Sequence, residues 1–369
     1  MVYAQLACRN KSLNIQGRKK MSGKNAIGGD RKFWGVLPVM DAASLTGIAQ
    51  QAEGAGYEGL FAIQVYGPPF IPLAVAAAAT STLKIASGIA IAAARSPFET
   101  AMAAIDLDRI SGGRFTLGLG SSVSAWTSGV FGAPEYKPVT HMRDTVNAVR
   151  HIVKGAHQGL EPYDGAYYKA DYKALKRTEA PVREEIPIWV AALREKLTRL
   201  GAEIGDGVIG HPMWSVEWTT DEMHPAILNS LQSAGRARSD IEVNIWPWVA
   251  INDDEVEAIN DGRATVAFYA SMSQYQSFFA AHGFEKEAQN CQTCLAEDGH
   301  SDNATDKVPD EMVKAFVATG SRDKVLEKIE PMWAVADSMC PTPPLWSMSP
   351  EKVGFYVGGI GALIAEELS

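Results

Sequence analysis

The sequence predicts an α/β protein built as a single (β/α)8 TIM barrel with insertions, and three observations carry that prediction. From Phe33 onward, short apolar runs alternate with longer stretches of helical period, the pattern of βα units around a parallel sheet. Eight such runs can be placed along the chain. Its 369 residues leave room for a barrel with inserted segments, and no composition break or internal repeat asks for a second domain.

The first strand reads Phe33-Trp34-Gly35-Val36-Leu37-Pro38-Val39. Leu45, Ile48, Ala49, Ala52 and Ala55 then recur at helical spacing until Gly56 stops the helix. Gly59 to Val65 is the second strand, after which Pro68, Pro69 and Pro72 turn the chain into an alanine-rich helix ending near Thr82. Leu83 to Ile91 is the third strand and Pro97 to Ile110 its helix. Ser111-Gly112-Gly113 breaks that helix before the fourth strand, Arg114 to Gly120. A loop from Ser121 to Pro138 leads to a helix from Met142 to Lys154. Aromatic and polar residues then alternate around Asp164-Gly165, which predicts a small hairpin. Strands five to seven are Ile186 to Ala192, Gly207 to His211 and Val243 to Ile251. Ser271 to Lys307 reads as an inserted helical and polar segment. Strand eight falls between Met332 and Ser338, and the last helix runs from about Pro350 to Leu368.

Composition narrows the function classes. A formal net charge of -9 sets the whole-molecule field against phosphates, which disfavours a general nucleic-acid or anionic-membrane binder. No apolar run approaches the ~20 residues that span a bilayer. The nearest, Val353 to Ala365, is interrupted by glycine and flanked by charges. Four cysteines, Cys8, Cys291, Cys294 and Cys340, fit a reducing, cytoplasmic compartment better than a disulfide scaffold. Cys291-x-x-Cys294 with His282 and His300 nearby is a zinc-like grouping. Structural zinc sites favour tight turns and a barrel this large needs no staple, so no metal is expected. Residues 1–30 are basic and carry no acid before Asp30: either a disordered leader or an over-long start, with Met21 as the initiator. The barrel is expected over residues 31–369, with the late insertion at about 271–310.

In a parallel barrel, functional groups gather where strands end, because side chains elsewhere fill the core. That rule nominates Gln64 and Tyr66 after the second strand, and Gly88, Ile89 and Ile91 in the third. It adds Gly120, Ser121 and Ser122, then Ala191, Ala192 and Arg194, and finally His211. Small residues recur in the set and let a ligand approach the backbone closely; each glycine alone reads rather as a tight strand–helix turn, and it is the whole set at successive strand ends that points to a site. Gly118-Leu119-Gly120-Ser121-Ser122-Val123 is not a dinucleotide-binding loop, because Val123 stands where a small residue is required. His211, before Pro212, is a candidate for acid–base work or a structural histidine. Tyr66 and Trp126 are candidates to line an apolar substrate pocket, or else loop packing.

Several stretches also carry a resemblance. They are Ala52-Glu53-Gly54-Ala55-Gly56-Tyr57-Glu58-Gly59-Leu60-Phe61, the run from Ala76 to Gly88, Pro187-Ile188-Trp189-Val190-Ala191-Ala192 and Gly205-Asp206-Gly207-Val208. The most specific is Asp106-Leu107-Asp108-Arg109-Ile110-Ser111-Gly112-Gly113-Arg114-Phe115-Thr116-Leu117-Gly118-Leu119-Gly120. In this order and spacing the chain resembles the luciferase-like flavin- or deazaflavin-dependent oxidoreductases, over most of Phe33 to Pro212 and more weakly beyond.

The resemblance implies a flat redox ring held at the strand ends, from coenzyme F420 (favoured) or FMN. It implies hydride transfer, or dioxygen activation, toward a small organic substrate, and a homodimer as the assembled state. Gly88-Ile89 would form a non-prolyl cis peptide in a bulge behind the ring. Ser121 and Ser122 would donate to phosphate or ribityl groups. Arg194 would be a phosphate counter-charge or a solvated helix-start residue, and His211 and Gln64 would serve the chemistry. This chain also departs from the family. Gln64 and Val65 stand where many deazaflavin members have an acidic residue and a histidine, Val123 where some carry glutamate, and Ala192 where glycine is frequent. With proton-handling groups missing at two places, a non-catalytic flavin-binding barrel is the alternative. A metal-assisted lyase is the weakest reading, since no His, Asp and Glu cluster gathers at the strand ends.

Overall fold

The computed structural model describes residues 23–368. These divide into two units, one of residues 32–211 with 222–244, the other of residues 23–31, 212–221 and 245–368.

The larger unit repeats strand and helix: β1 (Lys32–Leu37), α1 (Ala42–Gly54), β2 (Gly59–Ala62), α2 (Phe70–Ala79), β3 (Lys84–Ser87), β4 (Ala90–Ile91), α3 (Pro97–Ser111) and β5 (Phe115–Gly120). The short α4 (Ser124–Thr127), α5 (Pro138–Gly155) and the antiparallel pair β6 (Tyr163–Asp164) and β7 (Lys169–Ala170) follow. Then come β8 (Ile188–Ala192), α6 (Glu195–Ile204), β9 (Gly207–Gly210), α7 (His224–Ser233) and β10 (Glu242–Ile245). Local chemistry sets the ends. Asp41 starts α1 by accepting from the Ser44 N–H at 3.0 Å, and Ser96 starts α3 by accepting from Glu99 at 3.1 Å, ahead of Pro97. Gly112 ends α3 in the left-handed region at φ 66, and the Gly113 N–H closes the last turn on the Asp108 carbonyl at 2.8 Å.

The apolar faces of these elements meet in one core. Leu60, Ile85, Leu117, Leu119, Ile188 and Val190 from the strands are buried with Leu73, Ala101, Val146, Val149 and Ile152 from the helices. Trp34 packs on Phe61 at 4.4 Å and on Trp189 at 5.5 Å between ring centroids, an aromatic layer shared by three strands.

The second unit holds β11 (Trp248–Ile251), α8 (Glu255–Ala270), α9 (Gln276–Ala281), α10 (Glu285–Asp298), α11 (Asp310–Phe316), β12 (Val317–Gly320), α12 (Arg322–Ile329), β13 (Ser338–Met339) and α13 (Pro350–Leu368). β11 and β12 pair in parallel from Trp248↔Val317 to Ile251↔Gly320. Residues 271–310, expected as a late insertion, are mostly helical. The leader expected over residues 1–30 lies, through residue 22, outside the described residues. Residues 23–30 form a turn in which the Asn25 side chain accepts from the Gly29 N–H at 2.8 Å. Among the described residues no helix is long and apolar enough to cross a membrane.

The main sheet has the order β3-β2-β1-β13-β10-β9-β8-β5-β4, and β3 also pairs with β5. The ring therefore closes, and the fold is the expected (β/α)8 barrel. Two strand expectations need correction. The seventh strand, expected as Val243 to Ile251, is divided into β10 and β11 at Trp246-Pro247, where proline has no N–H to give a ladder. The eighth, expected between Met332 and Ser338, starts only at Ser338. Pro331, with its fixed φ, sits inside a 3-10 turn over Glu330–Ala334 instead.

Candidate active site at the strand ends

Parallel registers bring the strand ends of the larger unit level. Ala62 stands opposite Ser87, Ile91 opposite Gly120, and Ala192 opposite Gly210. The residues just beyond, namely Gln64, Gly88–Ile89, Ser121–Ser122, Arg194 and His211, thus share one rim.

Gln64 follows β2 and is 6% exposed. Its Oε1 accepts from the Ile91 N–H at 2.9 Å and from Arg95 Nη2 at 3.0 Å, while its own N–H donates to the Ile89 carbonyl at 3.3 Å. Both donors to Oε1 lack a lone pair, so the amide can sit only one way round, with Nε2 turned from them. Arg95 lies 5.1 Å from the centre of the Phe70 ring, and burial lowers its pKa from the usual arginine value. Its Nη1 is buried without a hydrogen-bond partner among the described residues.

The peptide bond Gly88–Ile89 is cis, as the resemblance implies, and separates β3 from β4. Beside it β5 comes very close. A Cβ on Gly118 would lie 1.9 Å from the Ser87 carbonyl oxygen, and one on Gly120 would lie 2.6 Å from Ile89 Cγ1. Ser87 Oγ stitches the two strands, donating to the Gly118 carbonyl at 2.8 Å and accepting from its N–H at 2.9 Å. Ile91 is buried and Ile89 half-buried.

Past Gly120 the chain turns sharply, with Ser122 in the left-handed region at φ 55. Within the described residues the hydroxyls of Ser121 and Ser122 make no hydrogen bond, though both are only half-buried. Tyr136 anchors the loop by donating its hydroxyl to the Ser121 carbonyl at 2.8 Å. Its ring stacks on buried His141 at 4.3 Å, and His141 Nε2 meets the Tyr168 hydroxyl at 2.7 Å. The hairpin is fixed in turn by Asp144, which accepts from the Tyr168 N–H at 3.0 Å.

Across the rim, Ala192 is buried, Ala191 half-buried, and Arg194 exposed at the cap of α6. The His211 N–H donates to the Ala192 carbonyl at 3.1 Å. Its side chain keeps partial exposure, yet the protein packed around it pushes its pKa down to about 3. A neutral imidazole at physiological pH exchanges hydrogen bonds but stores no proton. Tyr66 and Trp126 do meet, at 5.9 Å between ring centroids.

The loop and rim read from the sequence omit two contributors. Arg95 had a signal, an arginine directly before the Ser-Pro helix start that follows a small-residue strand end. Tyr136 had none, because only the fold brings it to Ser121. The Cys291–Cys294 grouping offers no ligand set. Both ring nitrogens of His282 are engaged, with Ser215 Oγ and the Phe278 carbonyl. Among the described residues no three His, Cys, Asp or Glu side chains gather as a metal site.

A closed parallel barrel with donors and small residues on its carboxyl rim defines a cofactor-binding barrel. The model of the luciferase-like monooxygenase family matches residues 21–335. An uncharacterized protein of Mycobacterium tuberculosis is 30% identical over 332 residues, covering 85% of this chain and 97% of its own. The 5,10-methylenetetrahydromethanopterin reductase of Archaeoglobus fulgidus is 27% identical over 299 residues, covering 79% and 87%. The solved structure of the coenzyme F420-dependent tetrahydromethanopterin reductase from Methanopyrus kandleri has the same fold, with a TM-score of 0.73 at 24% identity and coverage of 92% and 97%. The chain belongs to the luciferase-like monooxygenase family and is an oxidoreductase of that kind.

Proposed function

We propose that the protein is a coenzyme F420-dependent oxidoreductase that passes hydride between the coenzyme and a small organic substrate, with FMN as the second cofactor reading. The observation that carries this is the level rim, where Gln64, Gly88–Ile91, Gly120–Ser122, Ala191–Arg194 and His211 converge. The residues present fit such a group. Ser121 and Ser122 offer hydroxyls that no described residue satisfies. When bound, F420 supplies two-electron hydride transfer, and FMN would add dioxygen activation.

The chain's own residues bind and orient. Gly88, Ile89, Ile91, Gly120, Ala191 and Ala192 offer a flat, apolar seat for a ring. Ser121, Ser122 and Arg194 would take the phosphate and polar tail. Gln64 and His211 hydrogen-bond at the reacting end, His211 as a neutral imidazole. Tyr66 and Trp126 line the substrate side. The protein would work in the cytoplasm as a homodimer. An apolar groove lined by Thr46, Ala74, Val75, Ala78 and Ala79, beside exposed Ile71 on α2, supports the second copy. Fluorescence titration with F420 and FMN tests the reading. Saturable binding of F420 in preference to FMN supports it, and binding of neither ends it.

A further inference from the structure

Gln64 is held from one side only. Two obligate donors, the Ile91 N–H and the Arg95 guanidinium, converge on its Oε1. Its Nε2 has no partner among the described residues and, unlike Arg95 Nη1, is not sealed from solvent. Arg95 forms no direct ion pair among the described residues, Glu99 acting on it only at longer range, so its guanidinium is left to Gln64. A cation on the carbonyl end of an amide draws electrons from the nitrogen and sharpens its N–H donors.

We propose that Arg95 is a positioning residue that pins and polarises Gln64, so that this rim position is a fixed, proton-neutral donor. The partner it selects is an acceptor atom, a carbonyl or ring oxygen, rather than a hydroxyl that must lose a proton. An acid at the same place would offer a ligand only acceptors and would titrate; this amide offers its N–H donors and does not titrate. The acceptor comes from the bound ring or from the substrate, and this part rests on the oxidoreductase reading above.

Glutamine-selective nitrogen-15 NMR on the full chain tests it, with the Gln64 amide pair assigned by its loss in Q64E. In R95M both amide signals move and their separation narrows, because the polarising charge is gone. In R95K, which keeps charge without the planar fork, they move part of the way, and this variant decides if R95M does not fold. Adding F420 or FMN shifts at least one signal downfield if the ring is the acceptor. A shift only on adding cyclohexanone to the loaded protein assigns the substrate. Q64E then loses about tenfold in affinity for whichever ligand moved the signals. Amide signals indifferent to both arginine variants, or to both ligands, overturn the proposal. Failure of wild type to bind either cofactor by fluorescence sinks the oxidoreductase reading instead, and the arginine comparison still decides the pin.

Discussion

Arg183 closes on the carboxylate of Asp108, donating through Nε at 3.1 Å and again through Nη2, while Asp108 is 0% exposed. The carboxylate comes from the stretch of sequence most typical of the family, and its work is structural. A buried acid that loses its cation, or a guanidinium that loses its acid, is left unpaired. D108A and R183M should therefore each cost about 3 kcal/mol or more. Urea unfolding checks this, with cofactor affinity of the folded fraction unchanged. A loss under 1 kcal/mol would show the pair to be dispensable.

Gly120 tests the seat. Alanine there drives a methyl toward Ile89, so G120A should lower cofactor affinity about tenfold, with a stability loss of about 1–3 kcal/mol. G118A meets the Ser87 carbonyl first, backbone that cannot give way, as well as Ile209, and should be the worse folded of the two. Fluorescence titration and thermal melts together separate the effects. Equal behaviour of the two variants would refute the assignment.

The hydroxyl of Tyr136 holds the Ser121 carbonyl from fifteen residues away. Y136F keeps the stack on His141 and removes the hydroxyl's bond to Ser121 together with its contact to Thr127. About 1 kcal/mol of loop order is lost, read as weaker cofactor binding with an almost unchanged melting temperature. Unchanged cofactor affinity in Y136F would separate the loop from the site.

His211 sets a pH dependence. Its pKa is near 3 in the fold and near 6.5 in the unfolded chain. The unfolded state therefore binds a proton that the native state refuses, and stability falls as pH drops from about 6.5 toward 3. Above that window the group contributes nothing. Denaturant titrations from pH 8 to 4 should show a shallower loss in H211N than in wild type. The same shift predicts no kinetic pKa near 6.5 from this residue, and a rate profile of H211N that lost such a step would contradict it.

Particular residues show why some of this could be read from the sequence and some could not. Helix stops such as Gly112-Gly113 and strand starts such as Phe115 are local, and local chemistry places them within a residue or two. The rim was legible because a parallel barrel puts every strand end on one side, so Gln64, Gly120 and His211 could be nominated without knowing their neighbours. The break at Pro247 was visible in sequence but masked by apolar residues on both sides. Arg95 beside Gln64 and Tyr136 beside Ser121 are facts of tertiary adjacency, and no period along the chain announces them. The neutrality of His211 likewise depends on packing density around it, which composition does not carry.

The β6–β7 hairpin has a consequence for anyone recombining this chain with a relative. Its Tyr168 is braced by Asp144 and meets His141, His141 lies under Tyr136, and Tyr136 grips Ser121. Stretches that look like separate decorations therefore travel as one module. A chimera that swaps residues 121–138 alone would sever the splint from the part it sets, whereas a crossover placed after residue 170 would carry both.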